Sequence, residues 1–156
     1  QALESDTGES RSAALGEIST EGSAVSALVG LFRASELVMM QDPAAASDVL
    51  AALIGQESIS GDYSDLALFK QLLLEGSGLD ASARRSGFEQ LSAAGNPLRL
   101  LAQEQLALLD LQENDETAAV KRLRDLLQDA EMTQNLRQRL GQLMVALGQD
   151  PNALDG

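Results

Sequence analysis

One stretch of the chain decides its fold: ASELVMMQDPAAASDVLAALI, from Ala34 to Ile54. Its pattern returns 73 residues later as ALLDLQENDETAAVKRLRDLL, from Ala107 to Leu127. Each copy predicts two helices joined by a turn of about two or three residues, with an alanine on each helix where the two approach closely. The matched positions are Ala34 and Ala107, Val38 and Leu111, Ala46 and Ala119, Leu50 and Leu123, and Ile54 and Leu127.

The interval between the two copies leaves room for a third helical pair. Two periods of about 36 residues fill it, and the tetratricopeptide period of about 34 is the nearest known one. Leu66-Ala67-Leu68-Phe69 parallels Leu106-Ala107-Leu108-Leu109, which supports a middle pair, and Thr133 to Leu147 predicts a final helix. We therefore expect an all-α fold, a right-handed array of antiparallel helical hairpins made of degenerate tetratricopeptide-like repeats, with a C-terminal capping helix.

Composition divides the chain into three parts. Residues 1–23 are rich in Ser, Glu, Gly and Thr, which predicts a linker or a short N-terminal helix. Residues 24–148 form the predicted tetratricopeptide-like helical repeat domain, and residues 149–156 a frayed polar tail. Because the chain begins with glutamine, we expect it to be part of a longer protein.

Proline, glycine and asparagine mark several predicted helix ends. Pro43 is expected in the first turn of a helix that Gly55 closes. A later helix is expected to end at Gly95, and the next to begin with Asn96 as its cap and Pro97 at its first position.

Missing residue types exclude several function classes. The chain has neither histidine nor cysteine, which removes the commonest general base, metal ligand and nucleophile pairs. Its formal net charge of −13 opposes binding to nucleic acid, whose phosphates require a basic face. We therefore expect no enzyme activity, no cofactor, no metal and no nucleic acid. The longest apolar run is also too short for the roughly 20 residues of a membrane-spanning helix.

The basic residues form three clusters, and each has two interpretations. They pair with acidic neighbours such as Glu89, Asp125 and Asp129 on solvated faces, which we favour, or they dock an acidic partner. The clusters are Arg84-Arg85, Lys121-Arg122-Arg124 and Arg137-Arg139.

Two further features leave alternatives open. Arg99 stands at a predicted helix start, where the helix dipole disfavours a cation. It is therefore held by a carboxylate, with Glu104 and Asp65 as candidates, or it lines a groove. Met39-Met40 forms an adaptable binding surface or packs against a neighbouring helix, and we favour packing.

Helical arrays usually leave one concave face exposed, lined by the first helix of each pair. Position in the predicted repeats places seven polar residues on that face as candidates for protein binding. They are Arg33, Glu36, Lys70, Gln71, Arg99, Gln103 and Asp110.

Three segments of residues 24–148 resemble a known family: Tyr63 to Lys70, Gly95 to Ala107, and Leu136 to Gly148. Together they resemble the tetratricopeptide-like domain of the bacterial ancillary Sec-translocon subunit family, in its alphaproteobacterial form. The chain departs from the tetratricopeptide consensus at its large aromatic positions on the first helix, where it has Gly30, Gln103 and Asp110.

This resemblance implies a periplasmic domain on the outer face of the bacterial inner membrane, tethered by an N-terminal anchor that is not in this chain. The implied partners are translocon components, periplasmic chaperones or exported chains. We therefore expect a non-enzymatic protein-protein interaction domain that assists the handling of exported proteins. The alternative is a structural scaffold that homo-oligomerises or coordinates envelope and cell-division assembly.

Overall fold

The computed structural model describes residues 8–16 and 23–151, and within them the chain is helical and has no strand. The predicted all-α class is therefore confirmed. No helix in these two ranges is both long and apolar enough to cross a membrane. The helices are α1 (Gly8–Gly16), α2 (Ser23–Met39), α3 (Pro43–Ile54), α4 (Gly61–Glu75), α5 (Ala81–Leu91), α6 (Arg99–Gln112), α7 (Glu116–Leu127) and α8 (Gln134–Ala146), with a short 3-10 helix (Gly76–Gly78) after α4.

The chain divides into two compact units, Gln1–Asp80 (unit 1) and Ala81–Gly156 (unit 2). In unit 1, α1 packs on α2, α2 on α3, and α3 on α4. In unit 2, α5 packs on α6, α6 on α7, and α7 on α8. The division falls inside the predicted second hairpin, whose two helices belong to different units.

The 73-residue offset relates the two units over their whole helical length. It matches α1 with α5, α2 with α6, α3 with α7, and α4 with α8. Leu15 and Phe88, 73 positions apart, are both buried. Ser60 and Thr133, also 73 apart, both stand before the last helix with extended backbone. The sequence repeat is therefore a repeat of four-helix units.

The turn after α2 and the turn after α6 have the same backbone geometry. Gln41 and Asn114 adopt left-handed conformations, with φ of 62° and 63°. The next residue then donates its N–H to a carbonyl five positions back, which closes the helix end as a Schellman motif. These bonds run from Asp42 to Leu37 at 2.9 Å and from Asp115 to Asp110 at 2.8 Å.

Aspartates begin the helices that follow these turns. Asp42 Oδ1 accepts from the Ala45 N–H at 3.1 Å, and Asp115 Oδ1 from the Ala118 N–H at 2.9 Å. Each carboxylate satisfies an N–H that would otherwise lack a partner in the first helical turn. Pro43 occupies the first turn of α3 and Gly55 follows its end, as the sequence predicted.

Glycine at position 41 is expected to stabilise the protein. A left-handed conformation costs an ordinary L-residue about 1–2 kcal/mol, which glycine avoids while losing more chain entropy on folding. Gln41→Gly should therefore raise the free energy of unfolding by up to about 1 kcal/mol in urea denaturation. Asn114→Gly should gain less, because asparagine tolerates this conformation. The control is Gln142→Gly, at an exposed position within α8, which should lower the free energy of unfolding by about 1 kcal/mol. If Gln41→Gly also lowers the free energy of unfolding, the expectation is contradicted.

The core of unit 1 is apolar and closely packed. Ala34 of α2 and Ala46 of α3 are buried, with Leu50 beside them. Gly30 lets α3 approach α2, because a Cβ there would lie 2.9 Å from the Leu53 methyl carbons. Small residues on the facing sides of α2 and α3 therefore set how closely these helices pack.

The core of unit 2 is built around Leu123, which is fully buried with Ala107, Leu140 and Met144. Two positions that are apolar in unit 1 carry carboxylates here. Glu104 and Asp110 are buried, and 73 residues before them stand the buried Leu31 and Leu37. The two units thus share a backbone pattern but differ in the polarity of their buried groups.

Two predicted helix ends were wrong. The α5 helix ends at Leu91 rather than at Gly95, and α6 begins at Arg99 rather than at Pro97. The Asn96 side chain accepts from the Leu98 N–H at 2.8 Å, so it forms a local turn that holds Pro97 outside the helix.

Helix α1 occupies part of the predicted N-terminal linker or short helix, and it packs on α2. Predictions for residues 1–7, 17–22 and 152–156, which include most of the frayed tail, lie outside the residues that the structure describes.

Candidate protein-binding groove

An open groove of about 460 Å³ lies on unit 1 between α2 and α4. Its floor is Leu50 of α3, and its walls are largely apolar. The residues that line it are Ala34, Ser35 and Val38 of α2, Leu50 of α3, and Lys70, Leu73 and Leu74 of α4.

Helical periodicity places these residues on facing sides of α2 and α4. Residues three or four positions apart lie on one face, which brings Val38 beside Ala34 and Leu74 beside Lys70. The groove stays open because Ala34 and Ser35 are small. The Ser35 hydroxyl donates to the Leu31 carbonyl oxygen at 3.0 Å, so its own bonding need is met within α2.

Large apolar side chains are exposed at the groove and beside it on α2. Val38 and Leu73 line the groove and are 45% and 48% exposed. Phe32 is 52% exposed, three positions before the lining residue Ser35. Met39 is 72% exposed, whereas Met40 is half-buried and lies against Gly8 of α1, so the favoured prediction of packing was wrong for Met39 and is confirmed for Met40. Contiguous exposed apolar surface of this kind marks interaction sites.

Lys70 is the basic group of this groove. It is half-buried, and its neighbours three and four positions away on α4 are Leu66, Ala67, Leu73 and Leu74. Within the described part of the chain, its ammonium group makes no hydrogen bond or ion pair. Lys70 thus places an unmatched positive charge among apolar side chains.

The other candidates of unit 1 are engaged elsewhere. Glu36 accepts from Arg11 of α1 at 2.9 Å, which ties α1 to α2. The Arg33 guanidinium is exposed and lies over Gly16, at the end of α1. Gln71 donates to Ser47 at 3.1 Å and to Glu75 at the same distance. Of the four, Lys70 is the one that lines the groove.

Arg99 of unit 2 is held by acidic groups, as one of its two interpretations predicted. Its guanidinium donates to both Asp129 oxygens, at 2.8 and 3.0 Å, and to Glu131 at 2.7 Å. The predicted partners Glu104 and Asp65 were wrong. The hydrogen bonds that Asp129 accepts, first from Arg99 and then from the Glu131 N–H, lower the pKa of Asp129. The carboxylates of Asp129 and Glu131 in turn raise the pKa of Arg99.

Asp110 is the centre of a buried ion cluster. Its two oxygens accept from Arg85 of α5 at 2.8 Å and from Arg122 of α7 at 3.0 Å. Arg122 also donates to Gln103 at 2.7 Å. The hydrogen bond that Arg85 donates to Asp110 is the main cause of the raised pKa of Arg85. Asp110 therefore joins three helices and is not presented to a partner.

The favoured pairing of basic clusters with acidic groups is confirmed in part: Arg85, Lys121, Arg122 and Arg139 bond carboxylates, whereas Arg84 and Arg124 bond glutamine side chains. Lys121 bonds Asp125 at 2.9 Å, as predicted. Arg85 bonds Asp110 and Glu113 instead of Glu89, and Asp129 bonds Arg99. Arg139 bonds the buried Glu104, which raises the pKa of Arg139, and Arg137 donates to a backbone carbonyl.

A second cavity, of about 440 Å³, lies on unit 2 between α6 and α7. Arg99, Gln103 and Arg122 line it, so it unites two of the predicted site residues. Each of these side chains already bonds another residue of the unit. Among the residues that the structure describes, no three acidic side chains lie close enough to hold a metal.

The apolar half of the groove, Val38 and Leu73, was not predicted from the sequence. One signal for it was available, because Lys70 has only apolar neighbours at helical spacing on α4. Such a lysine has no partner on its own helix and marks a face where apolar surface and charge meet.

Comparisons with protein-family models, with curated proteins and with solved structures found no match to this chain.

Proposed function

We propose that this chain is a non-enzymatic protein-interaction domain, a right-handed array of degenerate tetratricopeptide-like repeats. It docks a segment of a partner protein in the groove between α2 and α4. The observation that carries the proposal is an open apolar groove of about 460 Å³, with Lys70 on its wall making no hydrogen bond or ion pair to any residue that the structure describes. Grooves of this size, mostly apolar with few polar groups, are typical of binding sites.

The polar groups of unit 2 support placing the site on unit 1. Every lysine and arginine of unit 2 bonds a partner within that unit. Charged side chains that are already bonded within a unit hold its helices together and have fewer hydrogen-bond donors left for a ligand. The unit 1 groove instead leaves both its apolar surface and its charge unmatched.

The resemblance of the sequence supplies the cellular setting of the proposal. The domain works on the periplasmic face of the bacterial inner membrane, tethered by an N-terminal anchor outside this chain. Its partners are translocon components, periplasmic chaperones or exported chains. Reversible docking of their segments assists the handling of exported proteins beside the translocon.

The exposed apolar residues of α2 favour one second candidate, a structural scaffold in which two copies associate through this face. Phe32 and Met39 are the largest exposed apolar side chains there. Light scattering during gel filtration separates the two candidates. A scaffold gives a mass that rises with concentration, whereas a docking domain stays at the mass of one chain, 16.5 kDa.

Site-specific photo-crosslinking tests the proposed function. A photoreactive residue at Val38 is expected to give crosslinks to partner proteins in cells that make the anchored protein. The matched control is Val145 of α8, which is equally apolar and 63% exposed. Filling the groove by Ser35→Leu should remove the Val38 crosslinks. Equal crosslinking from both positions, or crosslinks that survive Ser35→Leu, would contradict docking in the groove.

A further inference from the structure

The unmatched charge of Lys70 restricts what can occupy the groove. Lys70 lines the groove as a half-buried residue, so an occupant of the groove would take water away from its ammonium group. Its α4 neighbours offer no carboxylate, and the facing residues of α2 are Ala34, Ser35 and Val38. An apolar occupant would cover this charge without pairing it, which is costly. An occupant with a carboxylate at this point would pair it and gain a charge-assisted bond.

The groove favours a helix over an extended strand. A helix satisfies its backbone N–H and C=O groups internally, whereas a strand presents them to the surface on which it lies. The Ser35 hydroxyl is bonded within α2, and the other lining residues apart from Lys70 are apolar. A strand would therefore bury backbone groups without partners, at a cost of about 1–3 kcal/mol each.

The exposed apolar surface of α2 sets the length of the occupant. Val25, Leu28 and Phe32 are 46%, 44% and 52% exposed, and at helical spacing they continue through the lining residue Ser35 to the exposed Met39. At 1.5 Å per residue, Val25 and Met39 are about 20 Å apart along the axis of α2. A helix of about four turns covers this distance with its apolar face.

Unit 2 lacks the charge and the two most exposed apolar groups of α2 at the matched positions. The residue 73 positions after Lys70 is Leu143, which packs against the core of unit 2. The residues matched to Phe32 and Met39 are Gln105 and Gln112, whereas those matched to Val25 and Leu28 stay apolar. Lys70 therefore occurs together with the most exposed apolar residues of α2 in one copy of the repeat only.

We propose, resting on the function proposed above, that the groove takes an amphipathic helical segment of a partner protein with a carboxylate at the edge of its apolar stripe. Lys70 pairs with that carboxylate and determines specificity. The apolar stripe packs on Val38 and Leu73 in the groove and extends onto Phe32 at its α2 edge.

Three fluorescein-labelled peptides test this inference by fluorescence polarisation. They share a leucine stripe, have blocked ends and about 16 residues, and carry Glu, Gln or Lys at one edge of the stripe. The Glu peptide should bind about fivefold more tightly than the Gln peptide, and the Lys peptide most weakly. Lys70→Glu should reverse this order. The matched control Lys121→Glu changes the charge equally in unit 2 and should keep it.

The possible contrary results separate the carboxylate inference from the groove as a docking site. If the three peptides bind equally and Val38→Asp abolishes binding, docking stands and the carboxylate inference is overturned. If no peptide binds, or if Val38→Asp leaves binding unchanged, both the inference and the groove as a docking site are overturned. Circular dichroism checks that the variants keep their helices. Val38 and Lys70 are suitable positions because both line the groove and neither belongs to the buried core.

Discussion

Leu123→Ala is expected to lower the free energy of unfolding by about 4 kcal/mol, within the 2–5 kcal/mol typical of buried leucines. Leu123 is fully buried in the core cluster of unit 2, against Ala107, Leu140 and Met144. The substitution removes apolar contacts and leaves an enclosed cavity that the surrounding helices fill only in part. Urea denaturation followed by circular dichroism measures the loss.

Leu50, 73 residues earlier, provides a matched comparison. It is buried to nearly the same extent, but it also forms the floor of the unit 1 groove. Space created by Leu50→Ala therefore opens into the groove, which water can enter, so its cavity cost should be smaller. We expect about 2–3 kcal/mol for Leu50→Ala and below about 0.5 kcal/mol for Leu73→Ala, which is exposed. If Leu123→Ala lowers the free energy of unfolding by less than Leu73→Ala does, this account of the core is contradicted.

Local signals predicted many of the helix ends in this fold. Pro43, Gly55 and the turn at Asn114-Asp115 act through backbone geometry and hydrogen bonds within a few residues, so their effect is readable from the sequence. The errors at Gly95 and Pro97 arose where two local preferences competed. Proline favours a first helical position, but the Asn96 side chain closed a turn before it.

The grouping of helices was harder to predict from the same repeat. An interval of 73 residues accommodates two periods of a hairpin or one period of a four-helix unit. The matched caps Ser60 and Thr133, together with the matched core residues Leu15 and Phe88, support the four-helix unit. Helix propensity and periodicity describe single helices, whereas the division between units depends on which helices pack together.

The candidate site could be predicted only in part, because exposure depends on neighbouring helices. Lys70 was predicted from its position and lines the groove. Glu36 was predicted on the same grounds, but α1 brings Arg11 against it. Val38 and Met39 have the sequence character of core residues but are exposed, and Val38 lies on the wall of a groove that α4 leaves open.

Asp110→Ala is expected to lower the free energy of unfolding by about 2–3 kcal/mol, again measured in urea. The Asp110 side chain is only 5% exposed and bonds Arg85 and Arg122, each about a quarter exposed. Alanine leaves both guanidinium groups without their common carboxylate and leaves a void beside them. Partial hydration of the two arginines keeps the loss below that of a fully buried pair. A loss under about 0.5 kcal/mol would show that the cluster contributes nothing to stability.

Unit 1 provides uncharged residues that should restore the stability lost in Asp110→Ala. At the positions matched to Asp110, Arg122 and Arg85 it carries Leu37, Val49 and Ser12, and these residues are buried or packed against the core. The triple variant Asp110→Leu, Arg122→Val, Arg85→Ser transfers this set to unit 2. Replacing a buried ion cluster by well-packed apolar groups is commonly neutral or stabilising. We therefore expect the triple variant to be at least as stable as the natural protein, although Asp110→Leu alone strands two charges. If the triple variant is less stable than Asp110→Ala, the two units differ in packing at this point, and the ion cluster is then required by the backbone of unit 2.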